Sequence, residues 1–142
     1  MSDQFPGRPN PPTTAETTEW WDATREQRLM VQRCRRCEGV QLYPRVICTH
    51  CGSLDLALVQ ASGRGVVYSH TTVEKSANPE FFTAPYIVAL VRLEEGPTLL
   101  TNIVGADPAD LLCDRQVDVT WEALPDGRQL PLFTPTTEQG AS

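Results

Sequence analysis

Two C-x-x-C pairs, Cys34-Arg35-Arg36-Cys37 and Cys48-Thr49-His50-Cys51, stand ten residues apart. Each pair is short enough to bend into a knuckle that presents two thiolates to one ion. Two knuckles complete a tetrahedral set of four sulfurs, which suits Zn²⁺ in a closed structural site. Gly39 follows the first pair and Gly52 the second, where the backbone must turn tightly around the metal. The same four ligands also suit iron, so the spacing does not choose between the two metals. His50 is an alternative ligand, but Cys34, Cys37, Cys48 and Cys51 already fill four positions. A redox role is the weaker reading, because that chemistry needs a single C-x-x-C. With every position held by protein, no coordination site is left for water, and the metal is expected not to be catalytic.

The remaining chain must fold around this unit in a total of 142 residues, which allows one domain or two very small ones. Hydrophobic residues at 40% supply a core, while 12 prolines and 9 glycines favour turns and short strands over long helices. Residues 1–16, rich in Pro and Thr, read as a flexible lead with neither the apolar run of a signal nor that of an anchor. The longest apolar stretch, 86–93, is strand-length. A reducing cytoplasm is the expected compartment, where paired cysteines serve as metal ligands and not as disulfides. The expected divisions are 1–16 lead, 17–53 helix and zinc ribbon, 54–135 barrel and 136–142 flexible tail.

A helix is predicted over 17–28, capped by Thr17 or Thr18, with Glu19 and Asp22 near its positive end and Arg25 and Arg28 near its negative end. Strands are predicted over 54–60, 66–73, 86–94, 98–104 and 117–122, with 130–133 as a further edge. The turn Glu94-Glu95-Gly96-Pro97 joins two of these as a hairpin, and 106–112 is predicted as one or two helical turns with Pro108 near the start. Five strands and a small helix suit a partly open five-stranded oligonucleotide/oligosaccharide-binding (OB) barrel. The fold class is therefore mainly β: an N-terminal helix, a zinc ribbon and an OB barrel.

Several runs together resemble the zinc-ribbon-plus-OB family known as domain of unknown function 35. They are Glu19-Trp20-Trp21, Leu29 to Cys34 leading into the first knuckle, Tyr43-Pro44-Arg45, and Cys48-x-x-Cys51-Gly52-Ser53. Further on come Ser62-Gly63-Arg64-Gly65-Val66-Val67-Tyr68-Ser69, the run from Pro85 to Val91, Leu99-Leu100-Thr101-Asn102 and Leu130-Pro131-Leu132-Phe133. The resemblance covers residues 17–135 and departs at Cys113, where relatives often carry a turn glycine. It implies a rubredoxin-like ribbon and a small accessory subunit of a thiolase-superfamily enzyme acting on acyl-coenzyme A (acyl-CoA). Among such assemblies, the resemblance implies most closely a steroid side-chain aldolase, in which a lipid-transfer-protein-like partner cleaves a hydroxyacyl chain and releases propionyl-CoA. It implies structural zinc, a CoA thioester bound mainly by the partner, and a heterotetramer around a dimeric partner. Acetoacetyl-CoA-type thiolase and acyltransferase complexes are the related alternatives.

The residues themselves point away from catalysis by this chain. The two histidines are His50 in a knuckle and His70 on a predicted strand, and no G-x-S-x-G elbow or phosphate loop is present. Glu94 and Glu95 read as solvated turn charges, His70 as a half-buried strand residue and Cys113 as a small, partly buried thiol. The net charge is −6, but it is uneven. Residues 18–51 carry six arginines against four acids, +2, and residues 52–142 carry five basic against twelve acidic groups, −7. An acidic barrel is a poor platform for single-stranded nucleic acid. Candidate contacts to an acidic partner or to CoA phosphates are Arg33, Arg35, Arg36 and Arg45; a solvated face, or a counterweight to the thiolates, is the competing account. Trp20 and Trp21, about 100° apart on a helix, offer one ring to the core and one to a partner. Phe81 and Phe82, in the loop 74–85 that ends beside Tyr86, form a candidate lip for an apolar substrate or partner groove. Nothing in the chain suggests a membrane-spanning segment.

Overall fold

The structure, a computed structural model, describes Phe5 and residues 8–137. The rest of the expected lead and tail, residues 1–4, 6–7 and 138–142, lies outside the described residues. Within the expected lead, Arg8, Asn10 and Pro11 reach the barrel. Arg8 pairs with Glu122 at 3.3 Å, the Asn10 side-chain oxygen accepts from the Asp126 N–H at 3.2 Å, and the Pro11 carbonyl accepts from Arg128 at 2.6 Å.

Helix α1 (Thr18–Thr24) follows a single 3-10 turn at Ala15–Thr17 and is shorter than predicted. Thr17 stands at its N-cap position, but its hydroxyl donates to the Thr14 carbonyl at 3.2 Å instead of capping the helix. At the other end Gln27 adopts φ 59°, and the Arg28 N–H folds back to the Ala23 carbonyl at 3.1 Å. That left-handed residue closes the helix before Arg28 can extend it. Thr24, fully buried, accepts from the Gln129 N–H at 3.2 Å and so ties the helix to the barrel.

A three-stranded antiparallel sheet carries the cysteines, in the order β2 (Val40–Gln41), β1 (Met30–Cys34), β3 (Leu56–Gln60). Here the predicted strand membership is corrected. Leu56–Gln60, expected in the barrel, pairs with β1 from Met30↔Gln60 to Cys34↔Leu56. Its burial is intermediate from Leu56 to Leu58 and exposed at Val59 and Gln60, without the alternation that would mark a barrel strand.

The barrel closes in the order β4-β5-β6-β8-β7, from β4 (Arg64–Val73), β5 (Tyr86–Leu93), β6 (Thr98–Ile103), β7 (Gln116–Ala123) and β8 (Gln129–Pro135). It is the five-stranded OB barrel the sequence predicts, but 130–133 is no mere edge: as β8 it runs antiparallel to β7 and meets β6 in parallel at Ile103↔Phe133. The β5–β6 hairpin forms as predicted, from Ile87↔Ile103 to Arg92↔Thr98. Strict alternation turns Ile87, Ala89, Val91 and Leu93 inward, against Leu99, Ile103, Val117 and the fully buried Phe133. The 106–112 segment holds one 3-10 turn, Pro108–Asp110, with the Asp107 carboxylate accepting from the Ala109 N–H at 3.0 Å.

One hydrophobic cluster joins the parts: Trp20, Leu29, Val31 and Leu42 from the helix and ribbon pack continuously with the barrel core. Gly65 on β4 marks how tightly the barrel is drawn. A Cβ there would stand 2.6 Å from the Arg92 carbonyl oxygen and 2.8 Å from Val91 Cγ1. Because the nearer obstacle is backbone, Gly65→Ala is expected to cost about 1–3 kcal/mol, read as a lower denaturation midpoint in urea. An unchanged midpoint would show that β4 and β5 separate freely.

Candidate functional site

Strand β1 delivers Cys34 to the first knuckle, and the turn that follows brings in Cys37. The second knuckle supplies Cys48 and Cys51. The four Sγ atoms lie within 4.8 Å of one another, with Cys34–Cys51 and Cys37–Cys48 both at 3.7 Å. A tetrahedral ion with metal–sulfur bonds of about 2.3 Å requires sulfurs about 3.8 Å apart, so the set fits Zn²⁺. Backbone N–H groups surround the sulfurs: Arg36 at 3.3 Å and Cys37 at 3.4 Å donate to Cys34, Gly39 to Cys37 at 3.3 Å and His50 to Cys48 at 3.3 Å. The Cys37 N–H above all draws the Cys34 thiol down to about 6. At Cys37 the largest influence, the Gly39 N–H, favours the thiolate, yet burial and the neighbouring sulfurs push it up to about 11. Thiols this close resist joint ionisation, and a shared divalent cation relieves the repulsion.

His50 is outside the ligand set. Its exposed ring covers Gly39, where a Cβ would stand 2.5 Å from His50 Cδ2, and its Nε2 lies 3.4 Å from the Val40 carbonyl oxygen. The small size of Gly39 therefore makes room for the histidine.

Beside the ribbon lies an apolar groove of about 490 Å³. It is walled by Tyr43 and Pro44 of the ribbon, Trp20 and Trp21 of α1, Tyr86 and Val88 of β5, Leu99 and Leu100 of β6, and Leu130 and Leu132 of β8. Arg8, Pro11 and Phe82 also line it. Of the predicted contact residues, Trp20, Trp21, Phe82 and Tyr86 thus meet in one place. Trp20 is mostly spent on the core: it is 7% exposed and its Nε1 donates to the Met30 carbonyl at 2.9 Å. Trp21 is half-buried, edge-on to Trp20 at 4.9 Å, with the Arg128 guanidinium 4.6 Å from its ring centre. Phe82 packs with Tyr86 at 5.8 Å and with Phe5 at 6.0 Å, while Phe81 reaches Phe82 at 6.4 Å.

Arg8 lies 4.1 Å from the Phe5 ring centre and donates to Asn102 at 3.2 Å as well as to Glu122. Burial pushes the Glu122 carboxyl up and the Arg8 guanidinium down, and their mutual attraction opposes both shifts. This buried pair was missed because its members are 114 residues apart and belong to no motif.

The ribbon arginines do not converge on the groove. Arg33 pairs with Glu38 at 3.4 Å and Arg35 with Asp55 at 2.6 Å, while Arg36 and Arg45 are exposed. Glu94 is not simply solvated, since both its oxygens take Arg64, at 3.0 and 3.3 Å, and the Glu95 carboxylate accepts from the Ser62 N–H at 2.9 Å. Cys113, expected to be partly buried, is exposed on a turn whose next residue, Asp114, holds φ 70°. His70 is half-buried as expected, and its Nδ1 has no hydrogen-bond partner among the described residues. Among those residues no helix is long and apolar enough to cross a membrane.

A four-cysteine ribbon set against a closed five-stranded barrel defines the class of zinc-ribbon–OB-fold proteins. Residues 21–57 match the family described as "ChsH2, rubredoxin-like zinc ribbon domain", and residues 58–122 that described as "ChsH2, C-terminal OB-fold domain". The chain belongs to the DUF35 family, and its four-cysteine centre is a structural zinc site. It is similar to a solved chain titled "Ltp2-ChsH2(DUF35) aldolase", at 36% identity and a TM-score of 0.82 over 90% of this chain and 100% of that one. A "Probable enoyl-CoA hydratase alpha subunit" of Thermomonospora curvata is 37% identical over 95% of this chain, which spans 42% of that relative's length. A "DUF35 domain-containing scaffold protein" of Pyrococcus furiosus is 33% identical over 73% of this chain and 76% of its own. The "Benzoylsuccinyl-CoA thiolase subunit BbsA" of Geobacter metallireducens is 31% identical over 62% of this chain and 58% of its own.

Proposed function

We propose that this chain is a non-catalytic accessory subunit that docks on and activates a thiolase-superfamily enzyme acting on acyl-CoA. The observation that carries the reading is its likeness, at 36% identity, to the whole DUF35 chain of an aldolase. The site's chemistry supports it. Four protein thiolates close the metal to substrate, so the ion fixes the ribbon and activates no water.

The reaction proposed for the complex is a retro-aldol cleavage of a steroid side chain. A base on the partner takes the proton of the β-hydroxyl, the bond between the carbinol carbon and the α-carbon breaks, and a ring ketone forms. The electron pair leaves as the enolate of propionyl-CoA, which a partner acid protonates at carbon. In this reading the partner binds most of the CoA, two copies of this chain flank a dimeric partner, and the assembly works in the cytoplasm. Trp21, Phe81, Phe82 and Tyr86 supply apolar contacts and Arg33, Arg35, Arg36 and Arg45 polar ones, while Trp20 holds the wall behind them. A thiolase or acyltransferase complex is the alternative chemistry, supported by the likeness to BbsA. A single-stranded nucleic-acid reading is disfavoured by the formal −7 of residues 52–142.

The test is co-expression with each thiolase-superfamily subunit of the source organism, then purification on a tag carried by this chain. One subunit is expected to co-purify and to cleave β-hydroxyacyl-CoA at least about tenfold faster with this chain than without it. Turnover by this chain alone, or capture of none of those subunits, would overturn the proposal.

A further inference from the structure

The two knuckles reach the metal by different routes. Cys34 ends β1, so the sheet itself sets its place. Beyond Cys51 the chain is caught by the sheet again, at Leu56 opposite Cys34. Before Cys48 it is not: residues 42–47, between β2 and the second knuckle, form neither helix nor strand. Bonds inside that knuckle run from the Gly52 N–H to the Cys48 carbonyl at 3.0 Å and from the Cys48 N–H to the Ser53 carbonyl at 2.8 Å. They give it shape but no address on the sheet. Two buried side chains supply the address. Gln32 and Gln41 are Cα partners on β1 and β2, 8% and 6% exposed.

Gln41 takes hold of Cys48 from both sides. Its Nε2 donates to the Ile47 carbonyl at 3.3 Å, and its Oε1 accepts from the Thr49 N–H at 2.8 Å. Those are the carbonyl of the peptide unit before Cys48 and the N–H of the unit after it. One carboxamide therefore spans both peptide planes that flank the ligand's Cα. Its remaining capacity is filled too: Oε1 also accepts from the Thr49 hydroxyl at 3.0 Å, and Nε2 donates to Gln32 Oε1 at 2.8 Å. Gln32 in turn holds both backbone groups of Arg45, accepting from its N–H at 2.9 Å and donating to its carbonyl at 3.0 Å. Each amide has one workable orientation in this chain of donors and acceptors, and a satisfied buried network fixes one conformation. The exposed His50 ring, with Nε2 3.4 Å from the Val40 carbonyl oxygen, is a longer link to the sheet. A ligand held in place has less freedom to lose on binding, so groups outside a coordination shell govern the affinity of those inside it.

We infer that Gln41, steadied by Gln32, is a positioning residue for the zinc site: its carboxamide keeps Cys48 in place beside the other three sulfurs. The test compares the wild-type chain with Gln41→Met, which keeps the length of the side chain and deletes the amide. A second comparison is Val31→Ala, which opens a cavity at a fully buried position of β1 and removes no hydrogen bond to the knuckle. Zinc affinity is measured by competition with a chromophoric chelator, ligand geometry by the visible d–d bands of the Co²⁺-loaded chain, and stability by thermal midpoint. Gln41→Met is expected to bind zinc about 10–100-fold more weakly, with its Co²⁺ bands displaced from those of the wild type. Val31→Ala should melt lower while its Co²⁺ bands stay in place. Should Gln41→Met fail to fold, Thr49→Val carries the test. Thr49 is exposed, and the change removes only its hydroxyl's bond to Gln41. Zinc affinity should then fall about threefold. Unchanged affinity in a folded Gln41→Met, or in Thr49→Val where that variant is needed, would overturn the inference. So would a weaker affinity in Gln41→Met with unmoved Co²⁺ bands, or band shifts that Val31→Ala reproduces, since both mark general stability alone. A wild-type chain that holds no metal would overturn the zinc centre and this inference with it.

Discussion

Cys34→Ser is expected to yield a chain that no longer retains an equivalent of zinc after dialysis and unfolds at a markedly lower temperature. Cys34 is fully buried at the end of β1, pairs with Leu56, and holds its sulfur under two backbone N–H groups. A serine oxygen is a poor ligand for zinc and leaves both donors facing a shorter, harder group. Structural zinc contributes an apparent ~10–16 kcal/mol in small metal-folded units, whereas a whole domain has a net stability of only ~5–15 kcal/mol. Losing even part of the metal's contribution therefore erases most of the margin. Cys113→Ser is the control: it is exposed and outside the quartet, so metal content and melting should not move. A Cys34→Ser protein with a full equivalent of zinc and an unchanged midpoint would refute the four-cysteine centre.

The second large effect concerns Trp20. Trp20→Ala is expected to destabilise the chain by about 3–5 kcal/mol, because a large buried ring leaves a cavity where helix, ribbon and barrel meet. It also strips the Met30 carbonyl of its indole donor. Trp21→Ala should cost much less, since that ring is half-buried and its main polar contact is the Arg128 guanidinium. Urea denaturation of the two variants separates the cases. Equal midpoints, with binding lost only in Trp20→Ala, would make Trp20 an interface anchor and not a core residue.

Local patterns were readable wherever the chemistry itself is local. The zinc quartet is legible because knuckle ligands lie three residues apart, and the β5–β6 hairpin because its turn carries Gly96-Pro97 between alternating runs. Strand partnership was not legible. Leu56–Gln60 and Gln129–Pro135 carry no clean two-residue alternation of burial, and their place, the first beside β1 and the second between β6 and β7, is decided by pairing with strands distant in sequence. The helix end depends on a left-handed Gln27, a residue type with no strong preference for that state. At the site, four of the predicted aromatics line one groove, a juxtaposition the sequence does not show, and the buried Gln32–Gln41 pair of the ribbon, bonded at 2.8 Å, belongs to no motif. Glutamine is usually a surface residue, and nothing local reveals that Gln32 and Gln41 face each other in register inside the sheet.

The four zinc ligands also differ in how the outside world meets them. Cys34 and Cys48 are buried, whereas Cys37 and Cys51 are exposed, one of each kind from either knuckle. An oxidant or chelator in solution therefore meets only half of the coordination shell. Stripping of the ion is expected to begin at Cys37 or Cys51, on the water side, before the two inner thiolates let go. The centre is expected to release its ion as a latch does, with a free side at the two exposed sulfurs and a hinge side at the two buried ones.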